Sequence, residues 1–315
     1  MTLASELRQA GSLDELYRLL TPLNTGPGWN KPMPSLWDQP RKTFVPYCWR
    51  YDQAKAALDA AGRLINTDLA ERRNLILFNP VPGNDYATTR TLLAAYQMIL
   101  PGERARSHRH TPNALRLVLD AEDGAYTIVD GVKLYMRAGD VLLTPNWSWH
   151  GHGNESPAAA YWIDFLDTPL IHALEPMFFE SHPKQYEPVS EIASHSPMRF
   201  TWEDTMQRLD QLPTGTQIPL GGSAMATIAL SMMLLKPGVE TQTHRTTANN
   251  IYAVAQGGGV TVIDGESFSW TRGDVIAVPA WRPHSHCANE ESIMFRVTDE
   301  PVLEKLSLLR RKIGN

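Results

Sequence analysis

The sequence predicts a mainly β protein made of two similar halves, each a small antiparallel barrel or jelly roll. N-terminal helices precede them and a helical linker joins them. From Thr91 onward, short alternating or wholly apolar runs, separated by Pro-Gly, Asp-Gly and Gly-Asp turns, replace the helical periodicity of the preceding residues. A second stretch from Ala226 has the same character. The two stretches also match each other motif by motif, which indicates an internal duplication.

The duplication is carried by four pairs of turn motifs in the same order. Partners are separated by 134 to 136 residues, as Gly139 is from Gly273 and Gly102 from Gly238. The pairs are Pro101–Gly102 with Pro237–Gly238, Val129–Gly131 with Ile263–Gly265, Gly139–Val141 with Gly273–Val275, and Pro145–Trp147 with Pro279–Trp281. Units of short strands at this spacing favour two small barrels or jelly rolls. We expect a helical extension at 1–75, a first barrel at 76–180, a linker at 181–220 and a second barrel at 221–315.

The first twenty residues and the region between the two stretches are predicted to be helical. The segment MTLASELRQAGSLDELYRLL is charged throughout and amphipathic, which favours one or two helices and not a signal peptide. The segment DTPLIHALEPMFFESH is predicted to contain a helix. The Pro- and Ser-bearing residues that follow, to about residue 215, are predicted to be extended.

Composition and charge exclude several classes of function. The 315-residue chain is 43% hydrophobic, so it can bury a large core. A net charge of -5, without a Lys/Arg cluster, makes nucleic acid an unexpected partner. No apolar window reaches the length that a membrane span needs. Only Cys48 and Cys287 are present, too few for a disulfide framework or a thiolate metal site, so we expect a cytoplasmic protein.

A histidine cluster in the first half is the strongest sign of chemistry. His108 and His110 are separated by one residue, so in a strand both imidazoles point to the same face. A third histidine from an opposing strand, His150, would complete a metal site with three nitrogen ligands. Imidazole binds Zn, Cu, Fe and Ni, so the ligand type leaves the metal open. An isolated His-x-His pair is more often an ordinary polar strand edge.

The spacing around these histidines supports a metal site. The first part of the pattern is a glycine six residues before His108, and the second runs through Gly139, Pro145, His150 and Asn154 at spacings of six, five and four residues. This pattern resembles the two-part histidine signature of the cupin superfamily, whose barrels hold a metal at their centre. Many cupins have a Glu ligand four or five residues after the second histidine. Here Ala114 and Leu115 occupy those positions, so three histidines without a carboxylate are expected.

Longer strings resemble gentisate 1,2-dioxygenase and its relative salicylate 1,2-dioxygenase over roughly residues 60 to 310. They are PGERARSHRHTPNALR, VDGVKLYMRAGDVLLTPNWSWHGHGNE, YWIDFLDTPL, VIDGESFSWTRGDVIAVPAW and RVTDEPVLEKL. The resemblance implies a double cupin, assembled as a homotetramer, with one Fe(II) per chain in the N-terminal barrel on His108, His110 and His150. It further implies an enzyme of aromatic catabolism that inserts both atoms of dioxygen into the ring of a 2-hydroxybenzoate.

The resemblance also implies roles for the pocket residues. Arg116 has the strand parity of His110 and matches the family's substrate-binding arginine, whose planar fork suits a carboxylate. A solvent-exposed strand arginine is the alternative. His152 matches a histidine beside the substrate's oxygens, where it would donate a hydrogen bond or transfer a proton. A purely structural role is the alternative for His152.

Three further residues match pocket positions of the family. Arg72 and Gln97 correspond to residues of the substrate pocket, although such residues are often a solvated charge and a backbone partner. Asp164 is expected to orient a pocket histidine or arginine. Leu93 stands where the family often has an aromatic residue. The expected substrates are therefore gentisate, salicylate and salicylates with an amino, nitro or halogen group at position 5.

The second half lacks a complete triad. His244 and His284 keep the positions of His108 and His150, but Thr246 replaces the third histidine. We therefore expect a degenerate, structural barrel, although His286 and Cys287 would offer further ligands.

The sequence leaves two alternative functions open. One is a cupin isomerase or decarboxylase that uses Mn or Zn, and the other is a non-catalytic cupin that binds a small molecule.

Overall fold

The computed structural model describes residues 2–67, 69–70 and 72–314. The chain forms two units, Met1–Arg41 and Lys42–Asn315. The described residues of the first unit contain two α-helices, α1 (Leu3–Gln9) and α2 (Leu13–Leu20), and a 3-10 turn at Thr21–Leu23. The hydroxyls of Thr2 and Ser12 accept hydrogen bonds from the first-turn N–H groups of these helices, which is how Ser and Thr residues begin a helix. No helix in the described part of the chain is long and apolar enough to cross a membrane.

The second unit contains the strands and the remaining helices. Its helices are α3 (Tyr51–Leu64), α4 (Thr168–Leu174), α5 (Trp202–Leu209) and α6 (Glu300–Lys305). The strands up to residue 200 are β1 (Tyr47–Trp49), β2 (Arg73–Ile76), β3 (Leu93–Ile99), β4 (Arg104–His110), β5 (Ala114–Asp120), β6 (Ala125–Val129), β7 (Val132–Tyr135), β8 (Val141–Thr144), β9 (His150–Asn154), β10 (Ala160–Leu166), β11 (Phe179–Ser181), β12 (Glu191–Ala193) and β13 (Arg199–Phe200). The later strands are β14 (Gln217–Leu220), β15 (Ala229–Leu235), β16 (His244–Thr246), β17 (Asn250–Gln256), β18 (Gly258–Ile263), β19 (Glu266–Thr271), β20 (Val275–Val278), β21 (His284–Ala288), β22 (Ser292–Thr298) and β23 (Arg311–Ile313).

These strands form four sheets, two in each half. The first half has the orders β13-β8-β5-β10-β3-β2 and β11-β4-β9-β6-β7-β12, and the second has β1-β20-β17-β22-β15-β14 and β19-β18-β21-β16-β23. The pairings between these strands are antiparallel, except that β7 and β12 are parallel. The predicted mainly β fold and its duplication are confirmed. Each half is a pair of sheets and not a closed barrel, so the jelly-roll form of the prediction applies.

Among the described residues, three apolar clusters hold these sheets together. One lies inside the first half around Trp162, and one lies inside the second half around Trp270. The largest cluster joins the halves, because the sheet that contains β5 packs against the sheet that contains β17. Between these sheets, the rings of Phe165 and Phe295 meet edge to face with their centroids 5.6 Å apart. These two sheets are therefore covered on both faces, which explains why β3 and β5 are wholly or almost wholly buried.

The strand and helix that precede the first half are anchored on the second half. Strand β1 pairs with β20, and the carboxylate of Asp274 accepts a hydrogen bond of 2.8 Å from the N–H of Tyr51 at the start of α3. Arg50 forms an ion pair of 2.8 Å with the same carboxylate. A buried carboxylate of the second half therefore fixes both the start and the direction of α3.

The reverse arrangement anchors the elements that precede the second half. Strand β13 pairs with β8, and Asp140 of the first half accepts a hydrogen bond of 2.9 Å from the N–H of Trp202 at the start of α5. Arg199 forms an ion pair of 2.6 Å with Asp140. The residues 181–220, expected to be a linker, thus include β12 and β13, which extend the sheets of the first half. The duplicated unit includes its leading strand and helix, which the turn motifs alone do not reveal.

We predict that Asp140→Ala lowers the free energy of unfolding by about 3–5 kcal/mol, because it leaves the guanidinium of Arg199, whose side chain is 9% exposed, without its carboxylate partner. It also removes the acceptor of the Trp202 N–H at the start of α5. Asp274→Ala should cost less, since the side chain of Arg50 is 36% exposed. Urea denaturation measures both changes. The control is Asp123→Ala, which removes a surface ion pair with Arg137 and should change stability by less than about 1 kcal/mol. Equal losses for Asp140→Ala and Asp123→Ala would contradict this anchoring role.

Candidate active site

Three imidazoles from two neighbouring strands converge inside the first half. His108 and His110 lie at the end of β4, and His150 is the first residue of β9. The antiparallel pairing of these strands places His108 opposite His150, with ring centroids 4.4 Å apart. One nitrogen atom of each of the three rings lies within 4.8 Å of the corresponding atoms of the other two. The predicted three-histidine metal site is therefore present.

The electrostatic surroundings of these imidazoles suit a metal ion. Burial lowers the pKa of His108 to about 3, and it also lowers the pKa of His110 and of His150. Nδ1 of His110 lies 2.9 Å from the carbonyl oxygen of Pro112, and Nδ1 of His150 lies 3.0 Å from that of Ser148. Because a carbonyl only accepts, Nδ1 carries the proton in both rings and Nε2 presents its lone pair to a metal.

Arg116 lies beside the triad and is 1% exposed, so the alternative of a solvent-exposed arginine does not apply. It comes from β5, where alternate residues face either the other half or the interior. Its Nη1 donates hydrogen bonds to Thr127 Oγ1 at 3.1 Å and to His152 Nδ1 at 2.6 Å, and its Nη2 donates to Thr144 Oγ1 at 3.3 Å. Its Nε lies 3.5 Å from Asp164 Oδ1. The guanidinium is thus fixed from several strands.

His152 is a buried neutral imidazole whose tautomer is set by Arg116. Arg116 Nη1 lies 2.6 Å from Nδ1 of His152 and 3.3 Å from its Nε2. Since an arginine has only donors and the Nδ1 contact is much the shorter, Nδ1 accepts and the proton is on Nε2. Burial and the positive charge of Arg116 lower the pKa of His152 well below its usual value. His152 can therefore donate a hydrogen bond from Nε2, whereas accepting a proton would place a second positive charge beside the guanidinium.

The remaining predicted pocket residues join the same network. Arg72 Nε donates to Gln97 Oε1 at 2.9 Å, and Arg72 Nη2 lies 3.9 Å from Asp164 Oδ2. Trp162 Nε1 donates to Asp164 Oδ1 at 2.9 Å, which orients the carboxylate between the two arginines. A cavity of about 400 Å³ leads from the surface to His108 and is bordered by the end of α3, by Arg72 and by the first residues of β2. The predicted pocket residues are therefore brought together next to the metal site.

Sequence reasoning did not identify Thr127, Thr144 or Phe179. The first two are strand residues that face the interior. The only sequence signal for Thr127 was that the internal duplication aligns it with Thr261, another threonine. Phe179 lies on β11, which pairs with β4, and its ring centroid is 5.3 Å from that of His108. No feature of the sequence indicated this pairing, because Phe179 is about 70 residues away from His108 in the chain.

The second half has no equivalent triad within the described residues, as predicted. His244 and His284 are opposite each other with ring centroids 4.4 Å apart, like their counterparts in the first half. Tyr252, however, takes the place of Arg116, and its hydroxyl lies 3.1 Å from His284 Nε2. The nitrogen that would face a metal is hydrogen bonded instead. His286 lies 2.8 Å from Thr261 Oγ1 through its Nδ1 and does not extend the pair.

Known proteins share this fold and much of the sequence. The cupin domain model matches residues 95–166 and 231–299. A 5-aminosalicylate 1,2-dioxygenase from Comamonas sp is 33% identical over 336 residues, which cover 95% of this chain and 90% of that one. A gentisate 1,2-dioxygenase from Aquipseudomonas alcaligenes is 31% identical and covers 94% and 95%.

Solved structures agree with these sequence relationships. A salicylate 1,2-dioxygenase from Pseudaminobacter salicylatoxidans superposes with a TM-score of 0.87 at 29% identity, covering 96% of this chain and 97% of that one. The same enzyme has been crystallised with gentisate, and that structure has a TM-score of 0.87. Fold, metal site and sequence similarity over nearly the whole length agree. The chain therefore belongs to the cupin family of ring-cleaving 1,2-dioxygenases that includes the gentisate and salicylate enzymes.

Proposed function

We propose that this protein is an Fe(II)-dependent dioxygenase that opens the ring of a 2-hydroxybenzoate between the carbons bearing the carboxyl and hydroxyl groups. The observation that carries the proposal is a buried arginine facing a metal site made only of imidazoles. Arg116 Nη1 lies 2.6 Å from His152, whose ring centroid is 6.1 Å from that of His150, so the guanidinium and the triad share one interior. Burial is the main cause of the lowered pKa of His108 and of His150, and the positive charge of Arg116 adds to it. A ligand with a carboxylate and an adjacent hydroxyl can bind the guanidinium of Arg116 and a metal on the three histidines at the same time.

The metal in this proposal is iron, one ion per chain. Three histidines leave three positions of a six-coordinate ion for substrate and dioxygen. Imidazole accepts several metals, but the reaction with dioxygen requires a redox-active one. When bound, Fe(II) supplies the activation of dioxygen, and the protein supplies binding, orientation and a water-poor interior.

The side chains around the triad have separable tasks. Arg116 binds the substrate carboxylate through its Nη2, which has one N–H beyond that given to Thr144, while its Nε lies within ion-pair distance of Asp164. Asp164 holds Arg116 and Arg72 in place by charge. His152 donates a hydrogen bond from its Nε2–H to an oxygen of the bound substrate. Gln97 and Arg72 position the ring on the side of the cavity entrance.

The substrate is proposed to be gentisate, salicylate or a 5-substituted salicylate. Leu93 is buried on β3 and has the same strand parity as Gln97. An aliphatic residue there leaves room that an aromatic side chain would fill. Relatives named for 5-aminosalicylate and 5-nitrosalicylate support substrates with such a group.

Oxygen uptake and product spectra test this function directly. The Fe(II)-loaded enzyme should open the rings of salicylates with 5-amino or 5-nitro groups at least as efficiently as that of gentisate. A clear preference for gentisate would contradict the role given to Leu93. Absence of oxygen-dependent ring opening with every member of the panel would refute the proposed function and favour a cupin isomerase, decarboxylase or binding protein.

His108→Ala and His150→Ala should each lose most of the iron and reduce ring opening by about 1000-fold or more, because two imidazoles bind Fe(II) poorly. Elemental analysis and oxygen uptake measure these effects. The matched control is His244→Ala, which removes the counterpart of His108 in the second half and should retain both iron and activity. Loss of the iron in His244→Ala but not in His108→Ala would place the metal in the second half and contradict the proposed site.

Arg116→Ala should retain iron and lower kcat/KM by about 30-fold or more, mainly through KM, because a buried charge pair with the substrate is lost. Arg296→Ala removes an arginine of the second half whose side chain is only 12% exposed, and it serves as the control for general destabilisation. Its KM should stay close to that of the wild type. An Arg116→Ala enzyme that loses its iron, or that keeps its KM, would show that the carboxylate is bound elsewhere.

We also propose a homo-oligomer, a tetramer by resemblance to the family. Leu174, Phe178 and Phe179 are exposed on the half that holds the metal site, each with 59–64% of its surface accessible in the single chain. Apolar surface of this kind is common where subunits meet. Light scattering of the purified protein measures its mass directly.

A further inference from the structure

We infer that Thr127 is a positioning residue, which fixes the position of the Arg116 guanidinium relative to β9, the strand that carries the metal ligand His150. The inference rests on the proposed function, since it assumes that Arg116 receives the substrate carboxylate. Thr127 lies on β6, and none of its surface is exposed. It therefore does not touch solvent, and its hydroxyl must find its partners within the protein.

The direction of both hydrogen bonds of Thr127 follows from the chemistry of its partners. Oγ1 lies 3.1 Å from the carbonyl oxygen of Gly151, which only accepts, so the single hydroxyl proton goes to Gly151. Oγ1 also lies 3.1 Å from Nη1 of Arg116, which only donates, so a lone pair of Thr127 receives the guanidinium. The hydroxyl has one defined orientation, and its two bonds reinforce each other.

The consequence is a short connection between substrate-binding and metal-binding groups. Gly151 stands between the metal ligand His150 and the donor His152 on β9. Through Thr127, the guanidinium of Arg116 is tied to that stretch of strand, and Nη1 contacts His152 as well. A small displacement of the guanidinium would lower the rate of a reaction in which the substrate must contact the arginine through its carboxylate and the metal at the same time.

The second half offers an internal comparison. Thr261 occupies the position of Thr127, and it too has no exposed surface. Its Oγ1 accepts a hydrogen bond of 2.9 Å from Trp270 Nε1 and lies 2.8 Å from His286 Nδ1. Tyr252 replaces the arginine there, so this threonine contributes to packing without orienting a substrate-binding group. Thr261→Val is therefore matched to Thr127→Val in burial, fold position and chemistry.

The experiment compares Thr127→Val, Thr127→Ser and Thr261→Val with the wild type. Anaerobic titration gives Kd for salicylate and for catechol, which chelates a metal but has no carboxylate, in the metal-loaded protein. Salicylate binding is also measured after the metal is removed. Metal content, thermal stability and steady-state oxygen uptake complete the set.

Thr127→Val should keep its metal and raise Kd for salicylate by about 10-fold, both with the metal bound and after its removal. In the metal-loaded enzyme KM for salicylate should rise by a similar factor, whereas Kd for catechol should stay within about twofold of the wild type. Thr127→Ser should bring salicylate binding back to within about threefold of the wild type, because it restores the hydroxyl. Thr261→Val should lower thermal stability without changing either Kd. If Thr127→Val does not fold, Thr127→Cys keeps a similar shape with a poorer acceptor, and the same loss for salicylate is expected.

Unchanged salicylate binding in Thr127→Val, an equal loss for catechol, or no recovery in Thr127→Ser would overturn this inference. These outcomes are distinguishable from failure of the proposed function. If the wild type opens no ring while the binding pattern is as expected, the reaction is wrong and the positioning role stands. If the wild type opens the ring and Thr127→Val binds salicylate as the wild type does, the proposed reaction stands and the positioning role of Thr127 is wrong.

Discussion

The two-sided burial of the central strands is the constraint on which the rest of this protein depends. In β5 and β10, one set of alternate residues packs against the other half, as Leu117 and Phe165 do, while the other set faces the interior of the first half. Because strand side chains alternate, placing Arg116 and Asp164 inside follows directly from placing their neighbours between the halves. The active site and the interface between the halves are therefore built by the same strands.

That constraint explains what the sequence could predict. The parity of His108 and His110, and the glycine and proline framework repeated in both halves, locate the metal site without coordinates. The contacts of Thr127 and Tyr252 were not predictable, since they depend on which strands become neighbours across a sandwich. The exchange of leading elements, in which Asp274 anchors α3 and Asp140 anchors α5, was also missed. The contacts of Asp274 with α3 and of Asp140 with α5 join residues more than 50 positions apart, beyond the reach of any local pattern.

The two halves show how one framework has been used in two ways. His244 and His284 retain the ring separation of His108 and His150. Replacement of the third histidine by Thr246, together with Tyr252 in the place of Arg116, turns the same interior into a hydrogen-bonded core. Tyr252 fills with its hydroxyl a place where the other half leaves room for metal and substrate. The second half packs against the first through the sheet that contains β17, which faces the sheet of β5.

A crystal structure of the iron-loaded enzyme with salicylate, collected without oxygen and at the iron absorption edge, tests the central claim most directly. One anomalous peak per chain should lie between His108, His110 and His150, and the salicylate carboxylate should contact Arg116. An iron peak between His244 and His284, or a salicylate carboxylate directed away from Arg116, would contradict it.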